Sequence, residues 1–107
     1  MTAPLTIERR NAPRYALRLP VTYSADKTTG RGWTVDLSSS GVLFTAEHAV
    51  WKSSVVLLNI EWPALLDDII RLRLSAMGRV ARTNGYSVAV RFTRIPSWKT
   101  MGRAKST

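Results

Sequence analysis

The sequence predicts an all-β protein, a six-stranded antiparallel barrel, on three observations. Apolar and polar residues alternate along most of the chain, the mark of strands buried on one face. Gly, Pro, Ser and Asn clusters interrupt that alternation at short intervals, and no helical heptad or tandem repeat appears. Short strands joined by turns favour an antiparallel architecture over a parallel one, and closing the sheet hides the edges that such strands expose.

The first strand opens at Tyr15. Tyr15, Leu17, Leu19, Val21 and Tyr23 share one face, while Arg18 and Thr22 take the other. Pro20 cannot donate to a ladder, so this strand is expected at an edge or with a bulge. A polar loop follows from Ser24 to Gly30. The second strand places Trp33, Val35 and Leu37 inward and Thr34, Asp36 and Ser38 outward. Ser38-Ser39-Ser40-Gly41 is turn chemistry, and a third strand runs from Val42 to Thr45.

Val56, Leu58, Ile60 and Trp62 mark a fourth strand, after which Pro63 begins a connection reaching Asp68. In the fifth, Ile70, Leu72, Leu74 and Ala76 alternate with Arg71, Arg73 and Ser75, and the strand runs on towards Arg82 with a bulge expected at Gly78. Asn84-Gly85 predicts a type I′ hairpin, because both residues tolerate positive φ. It leads into Tyr86, Val88, Val90 and Phe92. Beyond Pro96 the chain is basic and poor in apolar residues, so a short tail or a helical turn is expected. The organisation read from these signals is a disordered arm over 1–7, a barrel over 8–95 whose leading segment 8–14 can reach a ligand, and a basic C-terminal tail over 96–107.

Composition narrows the function classes. With 107 residues, 45% of them apolar, one core is expected. Sixteen Lys and Arg against seven Asp and Glu give 16 − 7 = +9, which predicts attraction to an anionic partner. There is no Cys, so thiolate metal sites and Cys nucleophiles are excluded, and His48 is the only histidine. No apolar run approaches the roughly 20 residues of a membrane span. Met1 to Thr6 lacks the order of a signal peptide, so the expected location is cytoplasmic.

Nothing reads as an enzyme. Asp67-Asp68 is the only adjacent carboxylate pair and lies in the connection after Pro63, His48 has no apparent partner, and the triple serine has no base nearby. No cofactor or metal is expected.

The positive charge is unevenly spread. After Asp68 there is no acid, while Arg71, Arg73, Arg79, Arg82, Arg91, Arg94, Lys99, Arg103 and Lys105 all follow. On strands these occupy outward positions, so they serve either as a solvated exterior or as a face for a polyanion. Arg outnumbers Lys twelve to four. A guanidinium offers a planar fork for phosphate and a flat surface for stacking, which favours recognition over mere solvation.

Two motifs carry more. Arg10 and Arg14 stand four residues apart, with Arg9 immediately before them. That spacing is weak alone, since twelve arginines produce about one such pair by chance. Pro13 opposes a regular helix there, which suggests a loose arm whose arginines fold around a ligand. Asp36-Leu37-Ser38-Ser39-Ser40-Gly41 matches an [Asp/Asn]-x-Ser-x-x-Gly pattern expected by accident about 0.04 times in a chain of this composition. Taken singly it is a strand ending in a side-chain-stabilised turn closed by a glycine at positive φ.

Together the two motifs resemble the signature of the PilZ domain, the bacterial receptor module for cyclic diguanylate. The resemblance runs from about Glu8 to Phe92 and includes the closing strand Val88-Ala89-Val90-Arg91-Phe92, where Ala89 stands in place of the usual glycine. It implies a six-stranded barrel, often followed by a C-terminal helix, from which the short tail departs. It also implies that Arg10 and Arg14 bind phosphate and guanine, that Asp36 and Ser38 read the other guanine edge, and that Gly41 holds the turn. These residue types suit the ligand: a guanidinium stacks on a purine and grips O6 and N7 or a phosphate, and a carboxylate accepts from N1–H and N2–H₂. Arg9 before the motif implies a mutually intercalated pair of ligand molecules. Arg79 and Arg82 are candidate extra contacts.

The reading that follows is a stand-alone receptor whose arm orders on binding and signals to a downstream protein. Two rivals remain. One is a small basic barrel that stacks single-stranded nucleic acid on Trp51 or Trp98, with Trp33 and Trp62 read as core. The other is a PilZ-like adaptor that binds protein and no ligand.

Overall fold

The computed structural model describes residues 13–103. Seven strands form in order: β1 Pro20–Ala25, β2 Thr28–Leu37, β3 Gly41–Ala46, β4 Val55–Leu66, β5 Ile70–Asn84, β6 Ser87–Phe92 and β7 Ser97–Arg103. All pairings between them are antiparallel. The sheet runs β4-β1-β2-β3-β6-β5, and β4 pairs with β5 to close it into a six-stranded barrel. No helix occurs among the described residues.

The interior follows the expected alternation where strands run without interruption. Val21, Tyr23 and Ala25 of β1, Val56, Leu58 and Ile60 of β4, and Val88 and Val90 of β6 are buried. Phe44 of β3 is wholly enclosed and tilts against Tyr23, with ring centroids 5.5 Å apart. The Tyr23 hydroxyl reaches the loop after β3, where it accepts the His48 N–H at 2.9 Å.

The departures from expectation have local causes. Regular pairing of the first strand begins at Pro20 rather than Tyr15, and Pro20 pairs with Trp33 but not with β4, so its missing N–H breaks no ladder. Between Leu17 and Leu19 the chain instead wraps the buried Thr34: its hydroxyl accepts the Leu19 N–H at 2.8 Å and donates to the Leu17 carbonyl. The expected loop Ser24 to Gly30 shrinks to two residues, Asp26-Lys27, with Asp26 at φ 56° and Ala25 paired to Thr28. Likewise β4 continues through Pro63, which sits in a bulge between Glu61 and Leu65. The real reversal is Asp67-Asp68, at φ 53° and 63°, with the Ile69 N–H donating to the Leu66 carbonyl at 3.2 Å, a type I′ turn.

Gly78 pairs regularly and is not a bulge; the extra residue is Ala81, between Val80 and Arg82. A side chain at Gly78 would collide with the Arg91 carbonyl, so close approach is what that position requires. In the last hairpin only Gly85 has positive φ, and Asn84 pairs with Ser87, so the two-residue loop is Gly85-Tyr86 rather than Asn84-Gly85.

The segment after Pro96 forms neither a free tail nor a helical turn. From Ser97 it is β7, paired with the first half of β5. Trp98 of β7 meets Trp62 edge-on, centroids 4.9 Å apart. Trp62 packs against the core as expected, whereas Trp33 does not: it lies on the outer wall beneath the Arg18 guanidinium, 4.7 Å from its carbon to the ring centroid.

Candidate functional site

The site is built by two bulges. In β2, Thr34 pairs with Phe44 and Asp36 with Leu43, leaving Val35 as an extra residue. Strand side chains alternate, so a regular strand with Thr34 inside would also bury Asp36 and expose Leu37. The extra residue reverses this: Leu37 is buried and Asp36 turns to the outer wall. The bulge at Ala81 acts likewise in β5. Val80 is buried, and Arg82 is carried outward to pair with Ala89 instead of entering the core.

The pairings then align Asp36, Leu43, Ala89 and Arg82 in one row across β2, β3, β6 and β5 on the outer wall. At strand spacings of roughly 4.8 Å the row is about 14 Å long before curvature. A parallel row holds Gly41, Arg91 and Arg79. Gly41 and Ala89 present little bulk, so the wall dips between Asp36 and the arginines. This groove, of about 360 Å³, is lined by Arg14, Ser38, Gly41, Leu43, Arg82, Ala89 and Arg91 among others. It continues past Ser40 and Arg91 into a hollow of about 720 Å³ bordered by Phe92, Arg94 and Ile95.

The leading segment reaches the groove. The Tyr15 N–H donates to the Leu37 carbonyl at 2.9 Å and its carbonyl accepts the Leu37 N–H at 3.0 Å. That two-way tie sets Arg14 beside Asp36, with Nη1 3.2 Å from Oδ1. Arg14 is largely exposed, while Asp36 is only 23% exposed, so the carboxylate is set into the wall and the guanidinium projects into solvent. Three arginines, Arg14, Arg82 and Arg91, thus line the groove, and one of them is paired with Asp36.

The motif turn is knitted by its own polar groups. The Ser38 N–H donates to the Gly41 carbonyl at 2.9 Å, the Ser40 N–H donates to Ser38 Oγ at 3.2 Å, and the Phe92 N–H donates to the Ser40 carbonyl at 2.9 Å. Gly41 is not in the left-handed region. Glycine is needed there because a side chain would strike the Val90 carbonyl of β6.

The structure therefore brings Arg14, Asp36, Ser38 and Gly41 together. Arg9 and Arg10 lie outside the described residues. Of the two candidate extra arginines, Arg82 lines the groove, whereas Arg79 donates to the Ser53 carbonyl at 3.1 Å and lines no part of it. Sequence reasoning missed Arg91 as a groove residue. Its signal lies in its pairing with Gly41, which only the register reveals.

The described residues thus form a closed barrel with a basic groove on its outer wall. The PilZ domain model matches residues 8–99, and the chain belongs to the PilZ family. PilZ domains are receptor modules of the cyclic diguanylate system and not enzymes. The fold is similar to the crystal structure of the PilZ domain of CeSA from a cellulose-synthesizing bacterium, with a TM-score of 0.59 at 18% identity, over 78% of this chain and 82% of that one. No curated protein matches the chain. Among the described residues no helix is long and apolar enough to cross a membrane.

Proposed function

We propose that the groove binds cyclic diguanylate and that occupancy is relayed to a protein partner in the bacterial cytoplasm. The single observation that carries this reading is the alignment of Asp36 with Arg82 across the outer wall, with Arg14 held against the same carboxylate. It gives an acceptor for a guanine N1–H and N2–H₂ edge and cationic forks for phosphate on either side.

Arg14 and Asp36 satisfy each other. Ligand entry exchanges that pair: Asp36 turns to the guanine edge and Arg14 to phosphate or the purine face. Arg9 and Arg10 close over the ligand from the leading arm, and Arg9 favours two intercalated ligand molecules. Ser38 and Gly41 act chiefly by holding the turn. The ordered arm then presents a new surface to the partner.

Calorimetry with cyclic diguanylate, cyclic di-AMP and GTP tests the reading. Saturable heat with cyclic diguanylate alone is expected, with a ligand-to-protein ratio near 2 for the intercalated pair. Asp36→Ala and the double change Arg10→Ala, Arg14→Ala should each abolish it with the barrel still folded. No heat with the wild-type chain, or equal heat with all three nucleotides, overturns it.

One observation favours single-stranded nucleic acid instead: Trp33, expected inside, is exposed beside Arg18. That binding would tolerate Asp36→Ala, so the same variant separates the two readings.

A further inference from the structure

We infer a second anion site, for a phosphate monoester, across β5 from the groove and sharing Arg94 and Ile95 with the hollow that continues it. There the outer face of β4, β5 and β7 and the loop before β7 border an open hollow of about 330 Å³. Arg73, Arg94 and Lys99 line it, and no carboxylate does. Arg73 and Lys99 are cross-strand partners on β5 and β7, so their charges meet because β7 has added to the barrel. Like charges side by side are unfavourable without an anion between them.

Two further details point to a ligand. Arg73 Nε is buried and, among the described residues, has no hydrogen-bond partner, which leaves one N–H of a charged group desolvated without an acceptor. The nearest acid in its row, Glu61, pairs with it through the backbone ladder, yet no ion pair within 4.0 Å joins their side chains. The adjoining row is Asn59, Ser75 and Ser97. Ser75 donates to Asn59 Oδ1 at 2.7 Å, which commits the amide oxygen and turns the amide N–H groups to donor duty.

Three cations with neutral donors suit a doubly charged oxyanion better than a singly charged diester. Leu57 and Ile95, both exposed on the rim, suit an apolar substituent on the phosphate. The shared chemistry is a phosphate monoester, whether on a soluble metabolite or on a lipid headgroup.

The test is amide chemical-shift titration with phenyl phosphate at about pH 8, where the ester is a dianion, beside sedimentation with phosphatidic acid vesicles. Saturable shifts at Asn59, Ser75, Ser97 and Lys99 are expected. The double change Arg73→Gln, Lys99→Gln should weaken binding about tenfold or more, with circular dichroism confirming that the barrel persists. Arg71→Gln removes one charge from the same strand outside the hollow and should bind within about twofold of wild type. Vesicle binding lost in the double variant assigns the lipid as the source, and binding of phenyl phosphate alone assigns a soluble ester. Shifts that are absent, that fail to saturate, or that survive in the double variant overturn the site.

Discussion

Thr34 is the residue on which the barrel and the groove meet. It is buried, and its hydroxyl serves both the Leu19 N–H and the Leu17 carbonyl, where a regular ladder between β1 and β2 would otherwise have continued. Thr34→Val keeps the shape and removes both partners, so a loss of about 2–4 kcal/mol is expected in urea unfolding, while Thr34→Ser should stay within about 1 kcal/mol. The same change loosens the segment that ties Tyr15 to Leu37 and Arg14 to Asp36. Gly41 shows a second residue-scale lesson. The motif glycine reads in sequence as a positive-φ turn residue, yet its constraint is the Val90 carbonyl of a strand distant in the chain. No local rule reveals a neighbour that only sheet pairing supplies.

At the scale of elements, bulges decide which residues reach the groove. Deleting Ala81 would set Arg82 directly after the buried Val80, still opposite Ala89 and facing outward. The barrel should therefore stay folded and cyclic diguanylate binding by calorimetry should persist, whereas Arg82→Ala should weaken it. Strands without bulges were legible from alternation, and β4 up to Ile60 and β6 bury the positions expected of them. Trp33 was not, because one extra residue at Val35 reverses the phase of everything on one side of it. β7 escaped for another reason. Its few apolar residues give no alternation strong enough to predict a strand, and it exists because β5 overruns the barrel and offers an unpaired edge.

For the whole molecule, closure and charge set the expectations. Phe44 lies at the centre of the core, and Phe44→Ala should cost about 3–5 kcal/mol, a large part of the stability of a domain this small. The net charge of +9 raises the rate at which any anion arrives without choosing among them. Cyclic diguanylate carries two phosphodiester charges, so the logarithm of its affinity should fall with the logarithm of salt concentration at a slope no steeper than about −2. A slope several times steeper with an oligonucleotide, unaffected by Asp36→Ala, would assign the chain to nucleic acid instead.

The amino-acid sequence by itself determined the fold class, most strand identities and the proximity of a motif turn to a strand end, because alternation and turn chemistry are local properties of a few residues. It also carried the two motifs that mark the family. Only the tertiary structure decided that Arg14, Arg82 and Arg91 border one groove, with Asp36 held against Arg14, while Arg79 does not, since cross-strand rows depend on register. Register is a collective outcome of six strands closing on one another, and a single extra residue resets it.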